Sequence, residues 1–191
     1  MPVNLAAARR IRDNETFYMI EPAIDVGCGV ETVGKYYNIH MDAYDRVINP
    51  KYDANYIKEI GDSTYSCVHS SHCLEHMIDP YVALKNLIRI SNKYIIITIP
   101  DEEMYEHNTW PSMFNDDHKW SFTFTRKLSF DTRASLPKSI AVPDLLASVK
   151  DLVDVKWCRR ITEGWKPTAY DMTSTFEAEC AIEILLEKKN A

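Results

Sequence analysis

Apolar residues along this chain form short runs typical of strands and one stretch typical of a helix. The clearest strand is predicted over residues 94–100, a β-branched run expected for a strand covered on both faces. A helix is predicted just before it, because Asp79 and Pro80 supply an N-cap and a first-turn proline ahead of an apolar helical face. A helix followed by a buried strand indicates a parallel α/β sheet.

Further strands are predicted on both sides of this pair. In the first half of the chain they span residues 23–26, 37–42, 56–62 and 66–71. In the second half a helix is predicted over 142–149, and strands over 152–161 and 176–186. These elements predict an α/β fold with a Rossmann-like, mostly parallel sheet of about seven strands, an antiparallel C-terminal hairpin and helices on both faces.

Composition narrows the expected class of protein. The chain has 191 residues, a hydrophobic content of 46% and a net charge of -6, which suit one domain over residues 1–191 and disfavour a nucleic acid as partner. No run approaches the roughly 20 apolar residues that span a bilayer, and residues 1–12 show no signal-peptide pattern. The five cysteines include no Cys-x-x-Cys pair. We expect a soluble, cytoplasmic protein, and the sequence does not predict its oligomeric state.

Glycines and acidic residues cluster where the predicted strands end. Three of the five glycines, Gly27, Gly29 and Gly34, lie within eight residues, just after the strand 23–26. In open α/β sheets ligands bind at the carboxyl ends of strands, and glycine lets the backbone approach them closely. A carboxylate there can accept hydrogen bonds from a ribose diol. The candidate ligand-binding residues on this basis are Asp25, Gly27, Gly29, Asp42, Asp62, Ser71 and His72.

The motif Asp25-Val26-Gly27-Cys28-Gly29 resembles the first motif of the class I SAM-dependent methyltransferases. The stretch 70–77, with its Leu-Glu-His sequence, is similar to the small-molecule branch of that family, which includes sugar O-methyltransferases. The resemblance extends from about residue 23 to residue 188. It implies that S-adenosyl-L-methionine (SAM) is the cofactor and that the chain is a single methyltransferase domain.

The resemblance also implies roles for individual residues. Asp25, Gly27, Cys28 and Gly29 would lie against the methionyl part of SAM. The ribose hydroxyls would bind at Asp42 and Ala43, and the adenine near Asp62 and Ser63. The edge of the pocket would be formed by Ser71 and His72.

The glycine motif departs from the family pattern and from a dinucleotide fold. The third glycine of the family motif is replaced by Glu31, and the helix after the loop is short. A dinucleotide site would need glycine where Thr32 stands, in a loop that opens a helix facing a pyrophosphate. SAM carries no phosphate, so we favour methyl transfer over a nucleotide-dependent oxidoreductase.

The segment 101–133 lacks clear periodicity and follows the central strand, which indicates an insertion that binds the methyl acceptor. His118 is the first candidate for a general base, with Asp116 or Asp117 as its partner, because histidine titrates near neutrality. His76 and Asp101 are the alternatives. No metal site is predicted by spacing, although a divalent cation could bind Asp101 together with Asp116 or Asp117.

The same segment suggests the chemistry of the acceptor. Between Asp101 and His118 there are six acidic residues and no lysine or arginine, which disfavours a phosphate-rich substrate. Aromatic faces at Tyr105, Trp110 and Trp120 suit a sugar ring or an aromatic acceptor. We expect methylation of a hydroxyl on a sugar, glycan or other small molecule. The alternatives are N-methylation of a small metabolite and an inactive methyltransferase-fold partner.

Overall fold

The computed structural model describes residues 3–125, 138–166 and 178–189, which form a central sheet covered by helices. The sheet strands are β1 Ala23–Val26, β2 Met41–Tyr44, β3 Tyr65–Ser71, β4 Ser91–Pro100, β7 Val153–Ile161 and β8 Ala181–Lys188. A small second sheet pairs β5 Ser121–Thr123 with β6 Ser139–Ala141. The helices are α1 Val3–Arg12, α2 Gly34–Tyr37, α3 Pro80–Ile90 and α4 Val142–Ala147, with a 3-10 turn at Leu74–His76. None of the described helices is long and apolar enough to cross a membrane.

The main sheet has the strand order β2-β1-β3-β4-β8-β7. Strands β1 to β4 pair in parallel, and β8 pairs antiparallel with both β4 and β7. The predicted mixed α/β sheet with an antiparallel C-terminal hairpin is therefore confirmed. It contains six strands, one fewer than predicted.

The missing strand is the one predicted over residues 56–62, and that prediction was wrong. Arg89 of α3 donates hydrogen bonds to the carbonyls of Ile57 and Ile60, at 2.6 and 2.9 Å. These carbonyls therefore bond to a side chain rather than to a neighbouring strand. Ile57, with a φ of 38°, turns the backbone out of the extended conformation.

Helices cover both faces of the sheet, as predicted, but the two faces differ in chemistry. On one face Ile95 and Ile97 of β4 pack with Leu84 and Leu87 of α3 in an apolar cluster. On the other face α1 contributes charged groups. Arg9 and Arg10 are buried there and extend across the sheet to β8.

The buried charges form a network around Glu183, the third residue of β8. Glu183 accepts hydrogen bonds from Arg9 at 2.7 Å, from Arg10 at 2.8 Å and from Arg159 of β7 at 2.8 Å. Burial alone would raise the pKa of Glu183, but the positive charges of Arg10 and Arg9 and the hydrogen bonds outweigh it and lower the pKa from 4.5 to about 2. The network therefore stabilises the folded state through the ionised form of Glu183.

Replacing Glu183 by glutamine is expected to lower the free energy of unfolding by about 3 kcal/mol at pH 7. Because the folded-state pKa is depressed, this contribution is present above pH 4.5 and is lost as the pH falls from 4.5 towards about 2. Urea denaturation of the unsubstituted chain and of Glu183→Gln should show that the difference between their free energies of unfolding becomes smaller over that pH range. Glu187→Gln is the matched control, because Glu187 lies on the same strand but pairs with exposed Lys156, a pair worth about 1 kcal/mol or less. Equal losses in the two variants would contradict the prediction.

Candidate active site

A pocket of about 450 Å³ opens at the carboxyl ends of three adjacent parallel strands. Gly27 follows β1, Asp45 follows β2 and His72 follows β3, and all three line the pocket. The other lining residues are Gly29, Arg46, Tyr52, Asp53, Ala54, Asn55, Cys73, His76, Met77, Asp117 and Lys119. This edge is where ligands bind in open α/β sheets.

The glycine loop needs both of its glycines. Gly27 and Gly29 adopt φ values of 78° and 66°, in the left-handed region that favours glycine. A Cβ atom on Gly27 would lie 2.5 Å from Sγ of Cys73. The backbone at Gly27 is thus packed closely against the wall of the pocket, which a larger residue would disrupt.

Asp25 lies behind this loop rather than in the pocket. Its Oδ2 accepts a hydrogen bond from the backbone N–H of Val33 at 2.8 Å, and its Oδ1 lies 2.8 Å from Nδ1 of His69. Both oxygens are used within the protein and the side chain is buried. Asp25 therefore fixes the shape of the loop that follows it.

The acidic residue that reaches the pocket from β2 is Asp45. Its Oδ2 accepts a hydrogen bond from the N–H of Gly29 at 2.9 Å, and its Oδ1 accepts one from the N–H of Val47 at 2.8 Å. The carboxylate is thereby held beside the glycine loop. Each oxygen retains a lone pair for a ligand hydroxyl.

Asp42 and Ala43 lie within β2, so they do not reach the pocket. Asp42 is exposed and accepts a hydrogen bond from the hydroxyl of Tyr65 at 2.7 Å. β2 begins four residues later than predicted, because Tyr37 ends α2 and the chain leaves that helix through Asn38 in the left-handed conformation. This shift makes Asp45, not Asp42, the acidic residue at the end of the strand.

Asp62 and Ser63 lie at the opposite end of the sheet from the pocket. Asp62 pairs with Arg89 at 2.7 Å, and Ser63 accepts a hydrogen bond from Lys188 near the start of β4. The segment beside the glycine loop is instead 52–55. There Asp53 pairs with Arg46 at 2.7 Å, and although burial alone would raise the pKa of Asp53, hydrogen bonds from Asn55 and Arg46 lower it.

Two further predicted residues lie beside the pocket without lining it. Cys28 is partly buried, which raises the pKa of its thiol to about 11, so the thiol is protonated at neutral pH. Ser71 is the last residue of β3 and pairs with Thr98 of β4. The next residue, His72, does line the pocket.

Next to the pocket lies a group of ionisable side chains that we call the histidine–glutamate cluster. Its members are His72, Glu75, His76, Glu106 and His118. Nδ1 of His118 lies 2.6 Å from Oε1 of Glu106, and Nε2 of His118 lies 3.9 Å from Oε1 of Glu75. Glu75 and Glu106 are fully buried, whereas His76 lines the pocket. The cluster therefore extends from the core to the pocket wall.

The pKa of Glu75 is lowered despite the burial of its carboxyl group. Burial alone would raise the pKa of this carboxyl, but the interactions with His72 and His76 outweigh it and lower the pKa. Nδ1 of His72 lies 3.3 Å from Oε1 of Glu75, outside hydrogen-bond geometry. Among the described residues, neither oxygen of Glu75 has a hydrogen-bond partner.

Backbone pairing fixes His118 against the 3-10 turn. The N–H groups of Lys119 and Trp120 donate to the carbonyl of Glu75, at 2.8 and 3.1 Å. Nζ of Lys119 donates to the carbonyl of His76, and the indole of Trp120 donates to the carbonyl of Met77. His118 is thereby brought to Glu75 by contacts that its neighbours make.

The predicted catalytic residues of the segment 101–133 lie in different environments. His118 pairs with Glu106, while Asp116 is exposed and Asp117 pairs with His76 at 3.2 Å. Both carboxylate oxygens of Asp101 accept hydrogen bonds from Arg160, so Arg160 already occupies the oxygens that a cation shared with Asp116 or Asp117 would use.

Of the predicted acceptor-binding aromatic residues, Tyr105 alone packs on the cluster, 5.4 Å from the ring of His118. Trp120 packs against the apolar core, and Trp110 is partly exposed. Residues 126–133 of the predicted insertion lie outside the described residues.

Comparison with solved structures identifies the fold. A SAM-dependent methyltransferase from Archaeoglobus fulgidus is similar over 98% of this chain and 94% of its own, with a TM-score of 0.62 and 19% identity. A Thermotoga maritima protein is described as a SAM-dependent methyltransferase and possible histamine N-methyltransferase. It is similar over 95% of this chain and 97% of its own, with a TM-score of 0.54 and 16% identity. The chain has the fold of SAM-dependent methyltransferases. Neither a protein-family model nor a curated protein matches the sequence.

Within this methyltransferase fold, sequence reasoning missed several pocket and cluster residues. Asp45 was overlooked because the boundary of β2 was placed too early, although it is the next acidic residue after Asp42. Glu75 lies within the Leu-Glu-His stretch that supports the resemblance. Glu106 is one of six acidic residues in its segment, and nothing in the sequence singles it out.

Proposed function

We propose that this chain is a SAM-dependent methyltransferase that methylates a hydroxyl of a sugar, glycan or other small molecule. The observation that carries the proposal is Asp45, which is held by the N–H of Gly29 at the carboxyl edge of the sheet. A carboxylate beside a glycine loop suits the ribose diol of SAM. The names of the structural neighbours support the same cofactor.

The geometry of the loop argues against a dinucleotide. A dinucleotide fold uses the amino terminus of a long helix to hold its pyrophosphate. Here α2 has only four residues, and it begins five residues after Gly29. The pocket is lined by the carboxylates of Asp45, Asp53 and Asp117 and by the cationic groups of Arg46 and Lys119, so its lining has no excess of positive charge for a pyrophosphate.

The histidine–glutamate cluster offers candidate bases for methyl transfer to a hydroxyl. Methyl transfer to a hydroxyl needs alignment of the oxygen with the sulfonium methyl group and a group that takes the proton. We assign His118 as the first candidate base. Its ring is oriented by Glu106 rather than by Asp116 or Asp117. His76, paired with Asp117 at the pocket wall, is the second candidate.

N-methylation of an amine is the second candidate function. Glu75 and Glu106 place negative charge beside the pocket, and this charge would attract a cationic amine. The Thermotoga neighbour described as a possible histamine N-methyltransferase favours the same substrate class. An amine must lose a proton before it can accept a methyl group, so its methylation should rise with pH towards the pKa of the amine.

The test is a comparison of ligands followed by a comparison of acceptors. Calorimetry should show binding of S-adenosylhomocysteine and none of NAD. Incubation with SAM labelled on its methyl group should then transfer label to mono- or oligosaccharides more than to phenols or amines. Binding of NAD alone would contradict the proposal. Binding of S-adenosylhomocysteine without transfer to any acceptor would instead support an inactive methyltransferase-fold partner.

A further inference from the structure

Three members of the histidine–glutamate cluster have the composition and placement of metal ligands. Glu75, His76 and His118 each offer one ligand atom, and these atoms lie within 4.8 Å of one another. We propose that these three residues bind a divalent cation of the Zn²⁺, Mn²⁺ or Co²⁺ type at the edge of the cofactor pocket. Two imidazoles and one carboxylate suit these cations, whereas Mg²⁺ and Ca²⁺ prefer oxygen ligands alone.

The spacing of the ligand atoms is close to that of a formed site. Nε2 of His118 lies 3.9 Å from Oε1 of Glu75. With bonds of about 2.1 Å to a tetrahedral zinc ion, two ligand atoms lie about 3.4 Å apart. A change of a few tenths of an ångström would bring this pair to that separation.

His118 is oriented as metal-binding histidines usually are, and Nδ1 of His76 also faces a carboxylate. Nδ1 of His118 faces Glu106 at 2.6 Å, and Nδ1 of His76 faces Asp117 at 3.2 Å. A carboxylate partner keeps the hydrogen on Nδ1 and leaves the lone pair of Nε2 for a cation. Glu106 and Asp117 therefore act as positioning residues for the two ligands.

Three buried carboxylate oxygens of the cluster lack a hydrogen-bond partner among the described residues. Glu75 is fully buried with both oxygens lacking a hydrogen bond, and Oε2 of buried Glu106 lacks one as well. In the described part of the chain, neither carboxylate pairs with a lysine or arginine. Buried carboxylate oxygens that lack hydrogen bonds are unfavourable. A divalent cation at this point would offset both charges.

The cation would lie where it can act in methyl transfer. This role rests on the proposed function. His76 and Asp117 line the pocket, so a cation held by His76 would be accessible to an acceptor bound there. A hydroxyl bound to the cation loses its proton to solvent more readily. Its oxygen then forms the new bond to the methyl carbon, while the carbon–sulfur bond breaks and its electron pair stays on the neutral thioether. His118 is then a ligand, and the cation takes over the work of the base.

Metal titration of the full chain tests the site without any acceptor. After treatment with a chelator, the protein should bind one Co²⁺ ion per chain with a visible absorption band, and Zn²⁺ but not Mg²⁺ should displace it. Glu75→Gln and His118→Asn should lose this band, and Glu106→Gln should weaken binding by about 10- to 100-fold. His40→Asn is the matched control, because His40 is exposed and its ring pairs with Asp42, away from the cluster. It should bind Co²⁺ as the unsubstituted chain does.

Two results would overturn the proposal: absence of stoichiometric Co²⁺ and Zn²⁺ binding to the unsubstituted chain, or unchanged binding by Glu75→Gln. If Glu75→Gln does not fold by circular dichroism, unchanged binding by Glu106→Gln and His118→Asn has the same meaning. Binding of S-adenosylhomocysteine, measured on the same samples, separates the two proposals. If the unsubstituted chain does not bind S-adenosylhomocysteine, the cofactor assignment is wrong. If it binds S-adenosylhomocysteine but not Co²⁺, only the metal site is wrong.

Discussion

Replacing Asp45 by alanine is expected to weaken binding of S-adenosylhomocysteine by about 100-fold or more. Asp45 lies at the end of β2 beside Gly29, where its carboxylate can accept both ribose hydroxyls. Hydrogen bonds to a charged group contribute about 1.5 to 3 kcal/mol each, so the loss of two accounts for the expected change. The measurement is calorimetric titration of the variant and of the unsubstituted chain.

Asp42→Ala is the matched control for this experiment. Asp42 is only three residues away and carries the same group, but it is exposed and its hydroxyl partner is Tyr65. Its replacement should leave the affinity for S-adenosylhomocysteine unchanged. If Asp42→Ala removed binding and Asp45→Ala did not, the ribose site would lie outside the pocket that we describe.

Replacing His118 by alanine is expected to lower the rate of methyl transfer by about 100- to 10,000-fold, the usual contribution of a positioned acid or base. The buried ring of His118 is fixed by Glu106 and faces Glu75 beside the pocket. Its loss removes the proton acceptor of the metal-free protein or a ligand of the proposed cation. The measurement is single-turnover transfer of label from SAM to the best acceptor.

The control readouts separate catalysis from folding and cofactor binding. Affinity for S-adenosylhomocysteine should change less than about twofold in His118→Ala, because this residue does not line the pocket. His107→Ala serves as the matched variant, since His107 lies in the same segment but packs on Phe114. Transfer at an unchanged rate by His118→Ala would remove the histidine from the mechanism.

The parts of the fold that sequence predicted well are those with strong local signals. Asp79 caps α3 by accepting hydrogen bonds from the N–H groups of Tyr81 and Val82, as the pattern indicated. The β-branched run in β4 has six consecutive buried residues, from Ile95 to Pro100, which is the burial of a central strand. In both elements, neighbouring residues alone determine the structure.

The terminal strand shows the limit of such patterns. Residues 176–186 alternate between apolar and polar positions, which is typical of a half-buried strand, but β8 lies between β4 and β7 and is buried on both faces along most of its length. Glu183 is accommodated there because Arg9 and Arg10, more than 170 residues earlier, neutralise it. No local pattern contains that information. Residues 176 and 177 lie outside the described residues.

The candidate site was predicted in outline rather than in detail. The glycine loop and His72 were found from local sequence, because a strand followed by glycines marks the ligand edge of an α/β sheet. Asp45 was missed through an error in one strand boundary. The pairing of His118 with Glu106 depends on how a segment without regular structure folds back on Glu75, which sequence periodicity does not describe.

The central claim is that the pocket between Gly27 and Asp45 binds SAM with its methyl group near the histidine–glutamate cluster. A crystal structure of the chain with S-adenosylhomocysteine tests it most directly. We predict ribose hydroxyls within hydrogen-bond distance of Asp45, and the sulfur on the side of His76 and His118. A ligand bound beside Asp42 or Asp62, or a pocket that remains empty at saturating S-adenosylhomocysteine, would contradict the account.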